Sequence, residues 1–187
     1  MKWALRVAAS LAIAAAAGWI TYRYCYLRHV CNVRAETVQQ SMVRLMNAGG
    51  PTTERIFARM AAEEMSRCLE CWPTNINLYM IRAAALRMLD RPEEAALDYR
   101  RAIRVDRRAE LYFNLGLTEM EAGRDLQAFD ALVTAGFLFY PYMDEMPEPM
   151  QSRVRAAVSP IFAAMQRGKA RPEDVQKVRD RVARDPL

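Results

Sequence analysis

The sequence predicts an all-α protein built as a short array of helical hairpins, and three observations carry that prediction. Of 187 residues, 52% are hydrophobic, ample for a core, and seven are glycine. No Val/Ile/Thr-rich alternating run marks a strand, whereas the usage of Ala, Arg, Leu, Met and Glu favours helix nearly everywhere. Residues 109–116 read Ala-Glu-Leu-Tyr-Phe-Asn-Leu-Gly, and Ala128 follows twelve residues after Gly116. A small residue on each of two antiparallel helices lets them approach closely, while Tyr112, Leu115 and Leu132 fill the space on either side.

Residues 1–30 form a separate N-terminal segment. Lys2 and Arg6 precede an uncharged stretch, residues 7–22, that Arg23 closes. A basic start, a short apolar region and the small residues 14–18 fit a cleaved signal peptide. Tyr22, Tyr24 and Tyr26, interleaved with Arg23 and Arg28, fit instead the interfacial belt of a retained signal-anchor helix. The sixteen uncharged residues rise about 24 Å, against a hydrocarbon core of roughly 30 Å, so a span needs snorkelling flanks. The segment is acid-free with spaced arginines, as in a mitochondrial presequence, but its long apolar block is wrong for one. The expectation is a single-pass helix in an inner membrane, contacting lipid through residues 4–26, with the repeats in the periplasm. Periplasmic or secreted release after signal cleavage is the alternative. Flanking charge does not settle orientation, so the periplasmic side rests on the habit of short leaders translocating large hydrophilic domains. The Ala/Arg-rich composition resembles that of a high-GC bacterium.

Residues 31–141 carry three repeating units. The best preserved starts at Ala109, with Leu115, Gly116, Ala128 and Ala135 at its seventh, eighth, twentieth and twenty-seventh positions. The preceding unit, residues 76–108, has Tyr79 fourth, Ala83 eighth, Ala95 twentieth, Tyr99 twenty-fourth and Ala102 twenty-seventh. Its residues 90–94, Asp-Arg-Pro-Glu-Glu, form the turn, with Pro92 suited to a first helical turn. A degenerate unit comes earlier: Ala61, Met65 and Cys68 precede Pro73 at the matching positions. Its first helix is expected over residues 33–47, with Val38, Met42, Leu45 and Met46 on one face, followed by a long loop over residues 47–51.

On these residues the chain resembles the tetratricopeptide repeat family, in particular its membrane-anchored or secreted bacterial members. Residues 102–106, Ala-Ile-Arg-Val-Asp, are similar to the family's end-of-repeat phrase. Two departures stand out: Glu119 occupies the usual eleventh-position aromatic, and Arg107 replaces a proline. The resemblance implies a solenoid of about three hairpins.

Residues 142–187 complete the chain. Residues 142–149 read as a rigid, Pro-bounded connector. Residues 149–166 read as a capping helix, with Val154, Val158, Ile161, Phe162 and Met165 in a stripe and Pro160 expected to kink or interrupt it. A last basic helix is expected over residues 172–184, with Val175, Val178 and Val182 on a narrow face.

The resemblance also implies a binding groove lined by first-helix positions. Carried over residue by residue, these are Asn77, Met80, Ile81, Ala84, Arg87 and Met88 in the second unit. In the third they are Glu110, Phe113, Asn114, Leu117, Met120 and Glu121. Members that clamp a terminal carboxylate use Lys and Asn here; Asn114 alone matches. What remains is an apolar, Met-rich groove suited to an amphipathic helix of a partner, or to the chain's own helices.

Four cysteines remain: Cys25, Cys31, Cys68 and Cys71. The Cys68-x-x-Cys71 pair lies in the last turn before Pro73, where the helix dipole disfavours thiolate, so a redox or metal role is not expected. Disulfides are the expectation in an oxidising compartment, one candidate tying Cys31 to Cys68 or Cys71. His29 reads as an interfacial residue.

The formal charge of +5 does not point to nucleic acid. Lys2, Arg6, Arg23, Arg28 and Arg34 account for the whole excess, and residues 36–166 carry 15 basic and 18 acidic side chains. No phosphate loop, nucleophile elbow or metal-binding His pair appears, and the acidic Asp144, Glu145 and Glu148 sit on the connector. The expected function is therefore a non-enzymatic scaffold without cofactor, metal or small-molecule substrate. It would bind another envelope protein and support assembly of a complex. A soluble accessory or chaperone-like factor and a thiol-active envelope protein are the alternatives.

Overall fold

The computed structural model describes residues 2–48 and 50–183, and among these every regular element is helical. α1 (Lys2–Thr21) passes through a π-helical segment (Tyr22–Tyr26) into α2 (Leu27–Ala48). α3 (Pro51–Cys71), α4 (Ile76–Met88), α5 (Pro92–Val105), α6 (Ala109–Glu121) and α7 (Asp125–Leu138) follow. A 3₁₀ turn (Tyr140–Asp144) then leads to α8 (Met150–Gln166) and α9 (Pro172–Ala183). From α2 to α8 each helix packs on the next in chain order, and α9 rests on α7.

Local chemistry sets the boundaries. Asn75 caps α4 by accepting from the backbone N–H groups of Asn77 and Leu78. Pro51 and Pro92 occupy first-turn positions where no helical donor is required. The α4–α5 and α6–α7 turns use the same device. Asp90 and Gly123 take left-handed conformations (φ 57° and 71°). Arg91 then donates to the Leu86 carbonyl at 3.0 Å and Arg124 to the Glu119 carbonyl at 2.8 Å, satisfying orphan carbonyls at each helix end.

The small residues at repeat positions are packing contacts. Ala83, Ala95, Ala102, Ala128 and Ala135 are fully buried. Gly116 lies so close to α7 that an added Cβ would sit 2.4 Å from Leu132 Cγ and 3.2 Å from the Ala128 carbonyl oxygen. Leu132, fully buried, fills the space beside it and contributes roughly 1.5–3 kcal/mol by leaving water. Two apolar clusters result, one running from α4 to α8 and a smaller one joining α2, α3 and α4.

Two acidic side chains are buried among these helices, and both are clamped. Asp98 receives the Arg82 guanidinium bidentately, at 2.7 and 2.6 Å. Glu119, fully buried, is held by Arg100 from α5 and Arg124 from the α6–α7 turn. A carboxylate thus stands inside the helical core, and two arginines offset its desolvation.

Several expectations need correction. The loop over residues 47–51 is short, since α2 runs to Ala48 and α3 begins at Pro51. α8 continues through Pro160 as one helix, its Met150, Val154 and Val158 buried against the preceding layer. The connector is not merely a spacer: Met143 and Met146 are buried, and Tyr140 stacks on Phe162 at 4.6 Å. The last helix is described to Ala183; Arg184 lies outside the described residues.

The N-terminal expectation also changes. Among the described residues no helix is long and apolar enough to cross a membrane. α1 has twenty residues, but its sequence includes Lys2 and Arg6, and eight of the twenty are alanine. Leu11, Ile13, Trp19 and Ile20 nevertheless remain exposed. Trp19, Tyr22 and Tyr26 form a ring ladder along one side. Arg28 lies over both the Tyr24 and Trp72 rings, which fastens the π segment to the end of α3.

Candidate interaction groove

α2, α4 and α6, the first helices of three successive hairpins, border a cavity of about 590 Å³. Met42 reaches it from α2; Ala84, Arg87 and Met88 from α4; Glu121 from α6; Asp90 and Pro92 close one side at the α4–α5 turn. The three α4 residues arrive there by helical register. Ala84, Arg87 and Met88 are spaced three and four apart on α4, so one face presents all three.

The polar part of the wall is fixed. Arg87 donates from Nε to Glu121 Oε2 at 2.8 Å, bridging α4 to α6. That hydrogen bond raises the guanidinium pKa above its ordinary value. Tyr99 is close enough to feel the same guanidinium, and burial pushes its own pKa upward. The apolar part is Met42, Ala84 and Met88, two thioethers around a small residue, which leaves an adaptable surface.

Of the twelve expected groove residues, Ala84, Arg87, Met88 and Glu121 come together in this cavity. The rest do not. Ile81 and Phe113 are buried in the two cores, at 6% and 9% exposure. Met80, Leu117 and Met120 are half-buried against the larger core. Asn77 and Glu110 are exposed away from the cavity lining, and Asn114 donates to its own helix at the Glu110 carbonyl, 3.0 Å away. That bond engages the single Asn a carboxylate clamp would have used.

The reason for the contraction is the connector. Tyr142 stacks on Phe113 and Phe139 meets Tyr142 edge-on, so the chain covers its own third-unit surface. Sequence reasoning missed Tyr142, Asp90 and Pro92 as groove determinants. Met42 was legible on the apolar stripe of its helix. Tyr142 had only its neighbours Tyr140 and Pro141 to mark it.

The cysteines are present as four free thiols, so no disulfide joins them in this structure. Cys25 is exposed in the π segment and Cys71 is half-buried at the end of α3. Cys31 and Cys68 are buried together. His29 is exposed on α2. Of the connector acids, Asp144 pairs with Arg155 at 2.7 Å and Glu148 accepts from the Ser152 hydroxyl at 2.9 Å.

Fold and groove together define a class: an all-α stack of sequentially packed helices with a partly apolar groove bordered by α2, α4 and α6. Compared with protein-family models, with curated proteins and with solved structures, the chain has no match.

Proposed function

We propose that this protein is a non-enzymatic helical-repeat adaptor of tetratricopeptide-like construction that holds an amphipathic helix of another protein. The observation that carries the reading is the 590 Å³ cavity bordered by α2, α4 and α6 and lined by Met42, Ala84 and Met88. Grooves of this kind accept a helix by its apolar stripe, with charged residues at the rim setting register. Arg87, Glu121 and Asp90 supply that rim.

The adaptor works at a membrane, in this reading, with the repeats on the periplasmic side. The exposed Leu11, Ile13, Trp19 and Ile20 leave an apolar surface that the repeats do not cover. The Trp19–Tyr22–Tyr26 ladder beside Arg23 and Arg28 suits the interfacial layer. A second reading follows from α1 not being apolar enough to cross unaided: the segment is a cleaved leader and the repeats act as a free accessory factor.

Fractionating cells that express a C-terminally tagged chain, together with the intact mass of the product, separates the two. A full-length mass in the membrane pellet favours the tether; a truncated mass in the soluble fraction favours release. Photo-crosslinking from positions 84 and 88 tests the groove. A discrete adduct is expected from both and none from position 101 on α5. Equal labelling from all three would sink the groove reading.

A further inference from the structure

We propose that Cys31 and Cys68 form a reversible disulfide that staples α2 to α3 and so fixes one wall of the groove. Cys31 lies near the start of α2 and Cys68 in the last turn of α3, and these two helices pack directly on each other. Both thiols are buried, at 6% and 1% exposure, within one cluster that also holds Ala35, Ala61, Ala62 and Met65. The alanines let the helix backbones come close, which a disulfide requires because its Cβ atoms must lie roughly 3.5–4.5 Å apart. The Cys31 thiol is near enough to Cys68 to act on its proton equilibrium.

The other two cysteines are placed differently. Cys25 is exposed in the π segment, and Cys71 is half-buried outside the cluster. The choice the sequence leaves open, Cys68 or Cys71 as partner for Cys31, is thereby resolved in favour of Cys68.

The consequence falls on α2. Beside the thiols, the Arg34–Glu64 ion pair is a further α2–α3 link, and the Arg34 side chain is half exposed. Surface pairs of this kind hold weakly. α2 contributes Met42 to the cavity, so anything that fixes α2 on α3 also fixes the groove. A disulfide between the two thiols adds a covalent fastening at this seam.

The reaction is thiol–disulfide exchange with a low-molecular-weight disulfide as oxidant. The Cys31 thiol loses its proton and attacks one sulfur of the external disulfide, expelling a thiolate that takes up a proton. The Cys68 thiol then loses its proton and attacks the mixed disulfide at Cys31 Sγ. The new S–S bond forms and the second external thiol leaves. Two protein thiols are oxidised by two electrons, and one external disulfide is reduced to two thiols. Burial pushes the Cys68 thiol up to about 12, which makes it a poor first nucleophile.

The test uses the full chain in mild detergent, equilibrated with oxidised glutathione, blocked with N-ethylmaleimide and digested without reductant. The expected product is a crosslinked peptide pair carrying Cys31 and Cys68, with an intact mass lower by two hydrogens. It should unfold roughly 10 °C higher, and dithiothreitol should reverse the gain. The Cys25→Ala/Cys71→Ala double variant, which leaves the buried pair untouched, should give the same crosslink and the same shift. Amide exchange over residues 27–48 should slow on oxidation. A crosslink mapping to Cys68–Cys71 or to Cys25 would overturn the proposal. So would full alkylation of Cys31 and Cys68 after oxidation and unfolding.

Discussion

Tyr142 lies stacked on Phe113, ring centroids 4.6 Å apart and planes 12° from parallel. The contact joins the connector after the last hairpin to the first helix of that hairpin, and it turns an expected binding residue into core. Removing the upper ring should therefore expose the lower one. Tyr142→Ala is expected to cost about 2 kcal/mol, from the lost stacking and apolar burial, and to raise binding of a hydrophobic dye. Phe113→Asp should do much more, because it places a carboxylate where the side chain is 9% exposed. Circular dichroism should show loss of helix with Phe113→Asp and retention with Tyr142→Ala. A fully helical Phe113→Asp protein would return Phe113 to the binding surface.

Gly116 offers a sharper steric test. A methyl group there meets Leu132 Cγ at 2.4 Å and Cδ2 at 2.7 Å, and Leu132 is fully buried with nowhere to retreat. The backbone oxygen of Ala128 stands 3.2 Å away on the same side. Alanine recovers about 1 kcal/mol of helix propensity, but overpacking costs typically 1–3 kcal/mol. Overpacking should win. Gly116→Ala is expected to lower the thermal midpoint by several degrees, and in a Leu132→Ala background the same substitution should cost less. An unchanged midpoint in the single variant would mean that α6 and α7 leave room for a methyl group at Gly116.

The buried carboxylate of Glu119 makes a third prediction. Arg100 and Arg124 both converge on it, and Arg100 is itself mostly buried, so Glu119→Gln leaves cationic groups facing a neutral amide. Breaking a buried charge pair from one side costs about 3–5 kcal/mol. Glu119→Gln should therefore destabilise strongly, and adding Arg100→Met should relieve part of the penalty. Urea unfolding of the two single variants and the double variant measures the coupling. Additive losses would show that the pair contributes nothing specific.

How much of this was legible in the sequence differs between fold and groove. Helix positions were legible because alanine, glycine and proline punctuate them. Ala83, Ala95, Gly116 and Ala128 mark close approaches that only small residues permit, and Pro51 and Pro92 mark first turns. Pairwise partners that bridge helices were not legible. Glu119 reads as a broken motif position until Arg100 and Arg124 are seen beside it, and no local spacing brings residues nineteen apart together. The groove was half legible for the same reason. Register on α4 puts Ala84, Arg87 and Met88 on one face, whereas the cover over Phe113 comes from a connector whose path depends on tertiary packing. In α1 the long apolar block is rich in alanine, and among the described residues no helix is long and apolar enough to cross a membrane.

The buried thiol of Cys68 links stability to pH in the reduced protein. Burial is the largest cause holding its pKa up at about 12 against an ordinary 9.0, with the Cys31 thiol next. Below 9 the thiol is neutral in both the folded and the unfolded chain, so the full stability is present. Between 9 and 12 the unfolded chain releases the proton and the folded chain does not, so ionisation favours unfolding and stability falls as pH rises. Above 12 the folded thiol also ionises and the effect levels off. Other groups titrate in the same range, so the measurement has to be differential. Urea unfolding of the wild type and Cys68→Ala, both kept reduced, is compared from pH 7 upward. The wild type should be the more stable at pH 7, because its thiol fills the α2–α3 interface, and its advantage should shrink steadily above pH 9. A constant gap across that range would mean that the Cys68 thiolate is as well solvated in the folded chain as in the unfolded one, and that α2 does not seal the site.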